Sequence, residues 1–388
     1  VGGQGTVQVD AYYDKGLELG NMDGIIAENA AISFNAYDPY WYFPTQQGTT
    51  LAPRLNIGSV KFIANRDPHG LWGTMGPSGS ALNAAPSVII PGADGLVYVG
   101  GAFGSAAGTR TRFIASWSPR AGAWGSLAGG TLNQSVEDML QYPDGNLYAV
   151  GRFTQAAGTT ANSIARYNPT LQQWGTTNGG GVNTTTQILG IALGFNGLLY
   201  VAGSFAQAAG TTANNVAQYD PISDRWGTMT TGIQNSAVNP GIDVTTSMDG
   251  KIYVGGLFGT AGGTATNNIA FWNPSIAQWG TMGLGLQNGG AGNPFVNVIA
   301  QAPNGLVYAG GAFGSAGGGS AAKLAAWNGV QWSGVGPGSI NSTVDTLLVD
   351  SNGNVTFGGL FTSVGGLGVI PAHQAIYRGG AFVSLDAD

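Results

Sequence analysis

One stretch of sequence returns along this chain with few changes. "LYAVGRFTQAAGTTANSIARYNPTLQQWGTT" at 147–177 comes back as "LYVAGSFAQAAGTTANNVAQYDPISDRWGTM" at 199–229 and as "IYVGGLFGTAGGTATNNIAFWNPSIAQWGTM" at 252–282. A phenylalanine marks the period: Phe103, Phe153, Phe205, Phe258, Phe313 and Phe361, at intervals of 50, 52, 53, 55 and 48 residues. Two aromatic series keep step with it. One is Trp117, Tyr167, Tyr219, Trp272, Trp327 and Tyr377; the other is Trp72, Trp124, Trp174, Trp226, Trp279, Trp332 and then Phe382. A repeat of this length buries its apolar face only against a copy of itself, which restricts the chain to propellers and solenoids.

Each unit reads as four short strands, seen in "VEDMLQYP", "NLYAVGRF", "SIARYNP" and "QQWGTT" between 136 and 177. Gly, Pro and Asn interrupt every segment before a helix could accumulate. Between the first and second strands stand Asp94-Gly95, Asp144-Gly145, Asn196-Gly197, Asp249-Gly250, Asn304-Gly305 and Asn352-Gly353. Such pairs predict two-residue hairpins with positive φ at both positions. Pro169, Pro221 and Pro274 suit the corner between third and fourth strands, since proline cannot serve a central ladder. The aromatic series are expected to pack between neighbouring sheets, with glycine pairs at 100–101, 255–256, 310–311 and 358–359 letting backbones approach.

Four antiparallel strands per unit predict an all-β chain folded as a β-propeller. A parallel β-helix would not need the antiparallel hairpins. Six complete four-stranded repeats run from about Val88 to Leu385. "FIANRDPHGLWGTMG" at 62–76 matches only the last two strands of a further unit, so six or seven blades are expected. The domain reading is a short β-rich segment over 1–50 and the propeller over 51–388. The chain opens at Val1 without methionine, as expected of a processed product or a fragment.

Composition excludes several classes. The 68 glycines follow no three-residue period, which excludes collagen. A hydrophobic content of 43%, with 10 Trp, 14 Tyr and 15 Phe, argues for a packed core over disorder. Net charge is −6 and no basic cluster exists, so the footprint of a nucleic-acid binder is missing. Without cysteine there are neither disulfides nor thiolate metal sites. No stretch reaches membrane-spanning length without polar interruption, so no membrane insertion is expected.

Candidate chemistry is sparse. His69 and His373 read as surface or turn residues and cannot form a zinc cluster. Glu137 and Asp138 are adjacent on a strand and point to opposite faces, which makes them poor partners in acid–base work. Asp94, Asp144 and Asp249 are accounted for by the hairpin turns, and the repeats supply no ring of acids for a cation. No phosphate loop, dinucleotide fingerprint or nucleophile elbow is present. No catalytic, cofactor-binding or metal-ligating residue is therefore named, no cofactor is expected, and the chain reads as non-enzymatic. The connections from second to third strand, such as 154–162, should emerge with the loops joining units, such as 178–187 and 283–295. Their amide and hydroxyl chemistry makes that the better face for recognising carbohydrate or protein.

"SFNAYDPYWYFPTQQG" at 33–48 resembles the end of the first domain in distal-tail and baseplate proteins of long-tailed bacteriophages. The units of general form "LYVGGAF…AGG…IAxWN…W" are similar to Gly-rich propeller repeats of phage tail proteins and of large bacterial surface proteins. The resemblance implies a virion tail or baseplate component that docks through its first segment and points its propeller outward for host attachment. Tyr40, Trp41 and Tyr42 are then the expected assembly contact, because some 40 residues of short strands bury little surface alone. Tail symmetry implies three or six copies, with other virion proteins and a host glycan or protein as partners. The alternative is a bacterial surface or secreted propeller that binds carbohydrate or protein outside the cell.

Overall fold

The computed structural model describes residues 41–44, 49–50, 59–60, 63–66, 72–75 and 82–383, apart from 184–186, 235–242, 288–293 and 370–372. Six stretches, 86–126, 136–175, 187–228, 243–281, 295–334 and 344–383, each form a four-stranded antiparallel sheet with strands in chain order. We number these repeats one to six. In the fourth, the strands are Asp243–Thr246, Ile252–Gly255, Ile269–Asn273 and Gln278–Thr281. In the fifth they are Phe295–Gln301, Val307–Ala312, Leu324–Trp327 and Trp332–Gly334. The described residues are thus all-β apart from one 3-10 turn at Asn178–Gly180.

The chain divides into two compact units, Val1–Thr176 and Thr177–Asp388. The first holds repeats one and two together with a shorter sheet. There, strand Trp41–Pro44 pairs with Ile63–Arg66, which pairs with Trp72–Thr74, and a small hairpin joins Thr49–Thr50 to Ser59–Val60. Among the described residues, this is the pattern of the second, third and fourth strands of the other repeats. The second unit holds repeats three to six.

The first hairpin of every repeat differs from the two-residue turn that Asp-Gly and Asn-Gly predict. Only the glycines, such as Gly95 and Gly250 at φ 80°, take positive φ; the preceding Asp or Asn does not. The Gly95 amide donates to the Gly92 carbonyl at 3.0 Å and the Gly92 amide to the Leu96 carbonyl at 2.7 Å. That is a three-residue loop, a type I turn closed by a left-handed glycine. The acid or amide acts as a cap: Asp94 Oδ1 accepts from the Leu96 amide at 3.1 Å, and Asn304 Oδ1 from Leu306 at 3.1 Å.

The connection between second and third strands carries its own hairpin, which the alternation of Gly, Ala and Thr did not announce. In the fourth repeat, Thr260–Ala261 pairs with Thr264–Ala265 and also with Ile233–Gln234 of the segment leading into the repeat. The same bridge recurs at Leu82–Ala106, Leu132–Ala156, Val182–Ala208 and Ile340–Val364. The chain then enters the third strand through a left-handed residue at Phe113, Ser163, Asn215, Asn268, Lys323 and His373. The amide of Asn268 donates to the Phe258 carbonyl at 2.7 Å, so this unfavourable backbone is held by the repeat's own phenylalanine. His373 is one of these entry residues.

The phenylalanines at 103, 153, 205, 258, 313 and 361 are all buried. The two other aromatic series are cross-strand partners within one sheet: Trp117 with Trp124, Tyr167 with Trp174, Tyr219 with Trp226, Trp272 with Trp279, and Trp327 with Trp332. Their ring centroids lie 5.1 to 5.6 Å apart, a spacing at which aromatic pairs attract. Several fourth-strand indoles also reach towards the preceding repeat. Trp124 Nε1 donates to the Met75 carbonyl at 2.6 Å, Trp279 to Met229 at 2.8 Å, and Trp332 to Met282 at 2.7 Å. Trp174 Nε1 is buried without a partner among the described residues.

Glycine pairs solve two separate packing problems. A Cβ on Gly310 would meet Val344 Cγ1 of the next repeat at 2.6 Å, and one on Gly100 would meet Val136 at the same distance. On Gly311 it would meet the Phe295 carbonyl oxygen at 2.2 Å, where the first strand bulges between Val296 and Val298. One glycine admits the neighbouring repeat and the other the kinked strand beside it.

Two outcomes follow from this packing. Trp332→Ala should cost about 3–5 kcal/mol, and Trp332→Phe about 1–3 kcal/mol by stranding the Met282 carbonyl. Trp174→Phe, which removes an unpaired N–H, should stay within about 0.5 kcal/mol of the parent. Equal urea midpoints for the two phenylalanine variants would show that the indole bond is inert. The second outcome concerns alkaline pH. Burial pushes the phenols of Tyr148 and Tyr253 up to about 12 from 10.0. Below pH 10 both folded and unfolded chains keep these protons; between 10 and 12 the unfolded chain loses them first. Stability should fall across that window by up to about 1.4 kcal/mol per pH unit for each tyrosine. Tyr253→Phe should make the decline shallower in denaturation series run from pH 9 to 12, and an unchanged slope would contradict its burial.

Candidate functional site

A chain made of copies reveals its particular chemistry where one copy departs from the rest. The residue after the hairpin glycine is Leu96, Leu198 and Leu306 in repeats one, three and five, and Asn146 and Asn354 in two and six. In the fourth repeat it is Lys251. Two positions on, five repeats carry a tyrosine in the second strand: Tyr98, Tyr148, Tyr200, Tyr253 and Tyr308. The hairpin residue engages this tyrosine in repeats one and three. The Tyr98 hydroxyl donates to Asp94 Oδ2 at 2.6 Å, and Asn196 Nδ2 donates to the Tyr200 hydroxyl at 2.8 Å.

Lys251 changes that arrangement. Its Nζ pairs with Asp249 Oδ2, its amide donates to Asp249 Oδ1 at 3.3 Å, and the Ser247 hydroxyl donates to the same carboxylate. Burial works to raise the Asp249 carboxyl, but the hydrogen bonds from Lys251 and Ser247 outweigh it and hold the group below its ordinary value. With Asp249 taken, the Tyr253 hydroxyl has no hydrogen-bond partner among the described residues, although Tyr253 is only 5% exposed. Burial first, and then the nearby Asp249 charge, keep its phenol protonated up to about 12. It faces a ligand as a neutral donor and acceptor.

The third strand supplies a second departure. The position before its last aromatic is Ser116, Arg166, Gln218, Ala326 and Ile376 elsewhere, and Phe271 here. Phe271 lies edge-on to Tyr253, with centroids 6.0 Å apart and planes at 67°. Lys251 Nζ sits 5.2 Å from the centre of the Phe271 ring, within reach of a cation–π attraction. The cross-strand neighbour, Gly280, must be small, because a Cβ there would fall 2.1 Å from the ring.

The fifth repeat closes the other wall. Gln301, at the end of its first strand, accepts from the Met248 amide at 2.6 Å and donates to the Gly305 carbonyl at 3.4 Å. Gln141 does the same for the Ala93 amide at 2.8 Å and the Gly145 carbonyl at 3.0 Å, so this latch belongs to the scaffold. Between the two repeats lies a cleft of about 480 Å³, with Asp249, Lys251, Tyr253, Phe271, Gln301 and Trp327 among its lining residues. That size falls within the roughly 300–1,000 Å³ of small-ligand sites. Its charges are paired, its walls are aromatic, and its open polar group is a neutral phenol. Such a set binds and orients. Among the described residues no group of three or more His, Asp and Glu could hold a metal ion.

Glu137 and Asp138 have separate engagements: Glu137 Oε1 pairs with Arg152 Nε at 2.8 Å, and Asp138 Oδ1 accepts from the Met139 amide at 2.7 Å. Tyr40 lies outside the described residues, and Trp41 and Tyr42 are described only as backbone of a strand paired with Arg66 and Asn65. The cleft opens at the Asp-Gly and Asn-Pro turns, the opposite end of the sheets from the loops expected to recognise a ligand. Sequence reasoning missed Lys251, Tyr253, Phe271 and Gln301 as a group. The available signal was Lys251 standing where three other repeats carry leucine.

The sequence matches the family described as "Domain of unknown function (DUF5122) beta-propeller" over residues 143–171 and 249–270. No curated protein matches it. Among solved structures, it is similar to the extracellular domain of a B. thetaiotaomicron protein described as a hybrid two-component system, with 9% identity and a TM-score of 0.52. That likeness covers 90% of this chain and 40% of the other, and at such identity it is a likeness of fold. Two structures of the extracellular domain of a second B. thetaiotaomicron system match with TM-scores of 0.42 and 12% identity, covering 41% and 43% of those chains. The chain thus spans under half the length of the proteins it matches. The expectation of a phage tail or baseplate component located on a virion is corrected here: a solved structure that shares this fold is the extracellular domain of a bacterial two-component system. The fold supplies a physical reason. The aromatic run behind the tail resemblance contributes strand Trp41–Pro44 to a further sheet of the repeat pattern, where its backbone is already paired within the chain.

Proposed function

We propose that this chain is a non-enzymatic binding module at the exterior of a bacterial cell, and that it recognises carbohydrate or protein through the turn end of its sheets. The observation that carries this reading is the cleft between the fourth and fifth repeats, where Lys251 pairs with Asp249 beside Tyr253 and Phe271. Paired charge, aromatic walls and one neutral phenol can hold a ligand, and the hydroxyl beside the Asp249 carboxylate, Ser247, is fully buried and does not line the cleft. The partial match to a propeller family and the fold shared with an extracellular domain support both the architecture and the location.

The proposed architecture is a closed propeller in which the sheet at 41–74 serves as a seventh, incomplete blade. Closure protects the strand edges that a linear stack would expose at its ends. Small-angle scattering of the 388-residue chain should then give a radius of gyration near 21 Å, the value for a compact body of this length. A clearly larger value, with a rod-like distance distribution, would remove the ring. For recognition, bacterial envelope polysaccharide and envelope protein fractions would be immobilised separately and the purified chain passed over each. Saturable binding to one fraction, with the ligand recovered unchanged, is expected. Absence of binding to both, or recovery of a cleaved ligand, would overturn the reading.

A further inference from the structure

Resting on that reading, we infer that the cleft between the fourth and fifth repeats is a subsite for a neutral saccharide unit. Three observations restrict the ligand class. Asp249 and Lys251 already neutralise each other, so a bare anion would meet the carboxylate and a bare cation the ammonium. A neutral hydroxylated ligand uses both, donating to Asp249 and accepting from Lys251. Next, the Tyr253 hydroxyl has no partner among the described residues, and leaving it dry beneath a purely apolar ligand would cost its hydration. A ring hydroxyl can answer it as donor or acceptor. Finally, Tyr253, Phe271 and Trp327 give the walls aromatic surface suited to the C–H face of a sugar ring.

The repeats supply an internal control. Repeats one and three keep the tyrosine but close its hydroxyl with Asp94 or Asn196, and both carry leucine in place of Lys251. The scaffold therefore has a closed state of this position in repeats one and three; the fourth repeat differs from them by pairing its hairpin acid with a lysine. The tyrosine and hairpin belong to the fold. The paired charges and Phe271 belong to the site.

The test uses the whole chain and two substitutions the fold should tolerate. Lys251→Leu installs the residue of repeats one and three, where the hairpin side chain closes on the tyrosine, and frees Asp249 to do the same. Tyr253→Phe removes only the hydroxyl. Binding would be followed by ligand-observed NMR with neutral methyl hexosides, methyl N-acetylhexosaminides and their disaccharides, and with glucuronate and glucosamine as charged probes. At least one neutral probe should bind saturably. Its affinity should fall roughly three- to tenfold in Tyr253→Phe, as for one lost hydrogen bond, and by at least as much in Lys251→Leu. Tighter binding of glucuronate or glucosamine, no binding of any neutral probe, or unchanged affinity in both variants would overturn the inference. Envelope binding that survives both substitutions would place the ligand elsewhere while leaving the broader binding function intact. Loss of envelope binding in the parent chain, with neutral probes still bound, would sink the broader function and leave the subsite standing.

Discussion

The contact on which the repeats depend is the aromatic pair that ties the third strand to the fourth. Outer strands are short, three or four residues in most repeats, and have little ladder of their own. A tryptophan stacked across the pair supplies the apolar area that the ladder lacks. Where its indole N–H also reaches a carbonyl before the repeat, as Trp279 does to Met229 and Trp332 to Met282, one side chain serves two sheets. A buried N–H needs such a partner, and the recurring carbonyl provides it at a fixed place.

Around that contact, the remaining features are ways of bringing backbones close. Glycine stands where the next repeat's valine must lie against the second strand, and again where the first strand bulges. The hairpin glycines take the left-handed backbone that lets a three-residue loop match strand twist, with Asp or Asn capping the amide that follows. With so much of each repeat committed to packing and turns, few positions are free to vary. Two of those that do, Lys251 and Phe271, lie in the same cleft. A single lysine beside the hairpin acid takes up the carboxylate that, in the first repeat, accepts from the tyrosine hydroxyl.

Much of this was legible in the chain itself. The fifty-residue period, the four strands per unit and the hairpin positions follow from local chemistry, because alternation, turn residues and aromatic spacing act over a few neighbours. The same locality misled in places. Asp-Gly alone does not choose between a two-residue and a three-residue loop; the pairing of the flanking strands does, and it came out three in all six repeats. Two aromatics seven positions apart in "YNPTLQQW" were expected between sheets; Tyr167 and Trp174 do pack in one cluster with Val88, Tyr98 and Ile114 of the preceding repeat, and the register makes them cross-strand partners as well. The aromatic run before residue 45 resembled a tail-protein segment because short aromatic strands look alike out of context, until Trp41–Pro44 was seen paired into the repeat pattern.

By itself the sequence determined that the chain is a repeating all-β object, where each unit turns, and which aromatics recur, since these depend on contacts close along the chain. Only the tertiary structure decided that Gly310 lies against Val344, that Trp332 reaches back to Met282, and that Asp249, Lys251, Tyr253 and Phe271 share a cleft with Gln301 and Trp327. Gly310 and Val344 are 34 positions apart and Met282 and Trp332 are 50 apart, and their meeting is set by how one sheet seats on the next. Lys251 could be read from the sequence as an exception. What it excepts, the closed tyrosine of repeats one and three, became visible only when the partners of Tyr98 and Tyr200 were known.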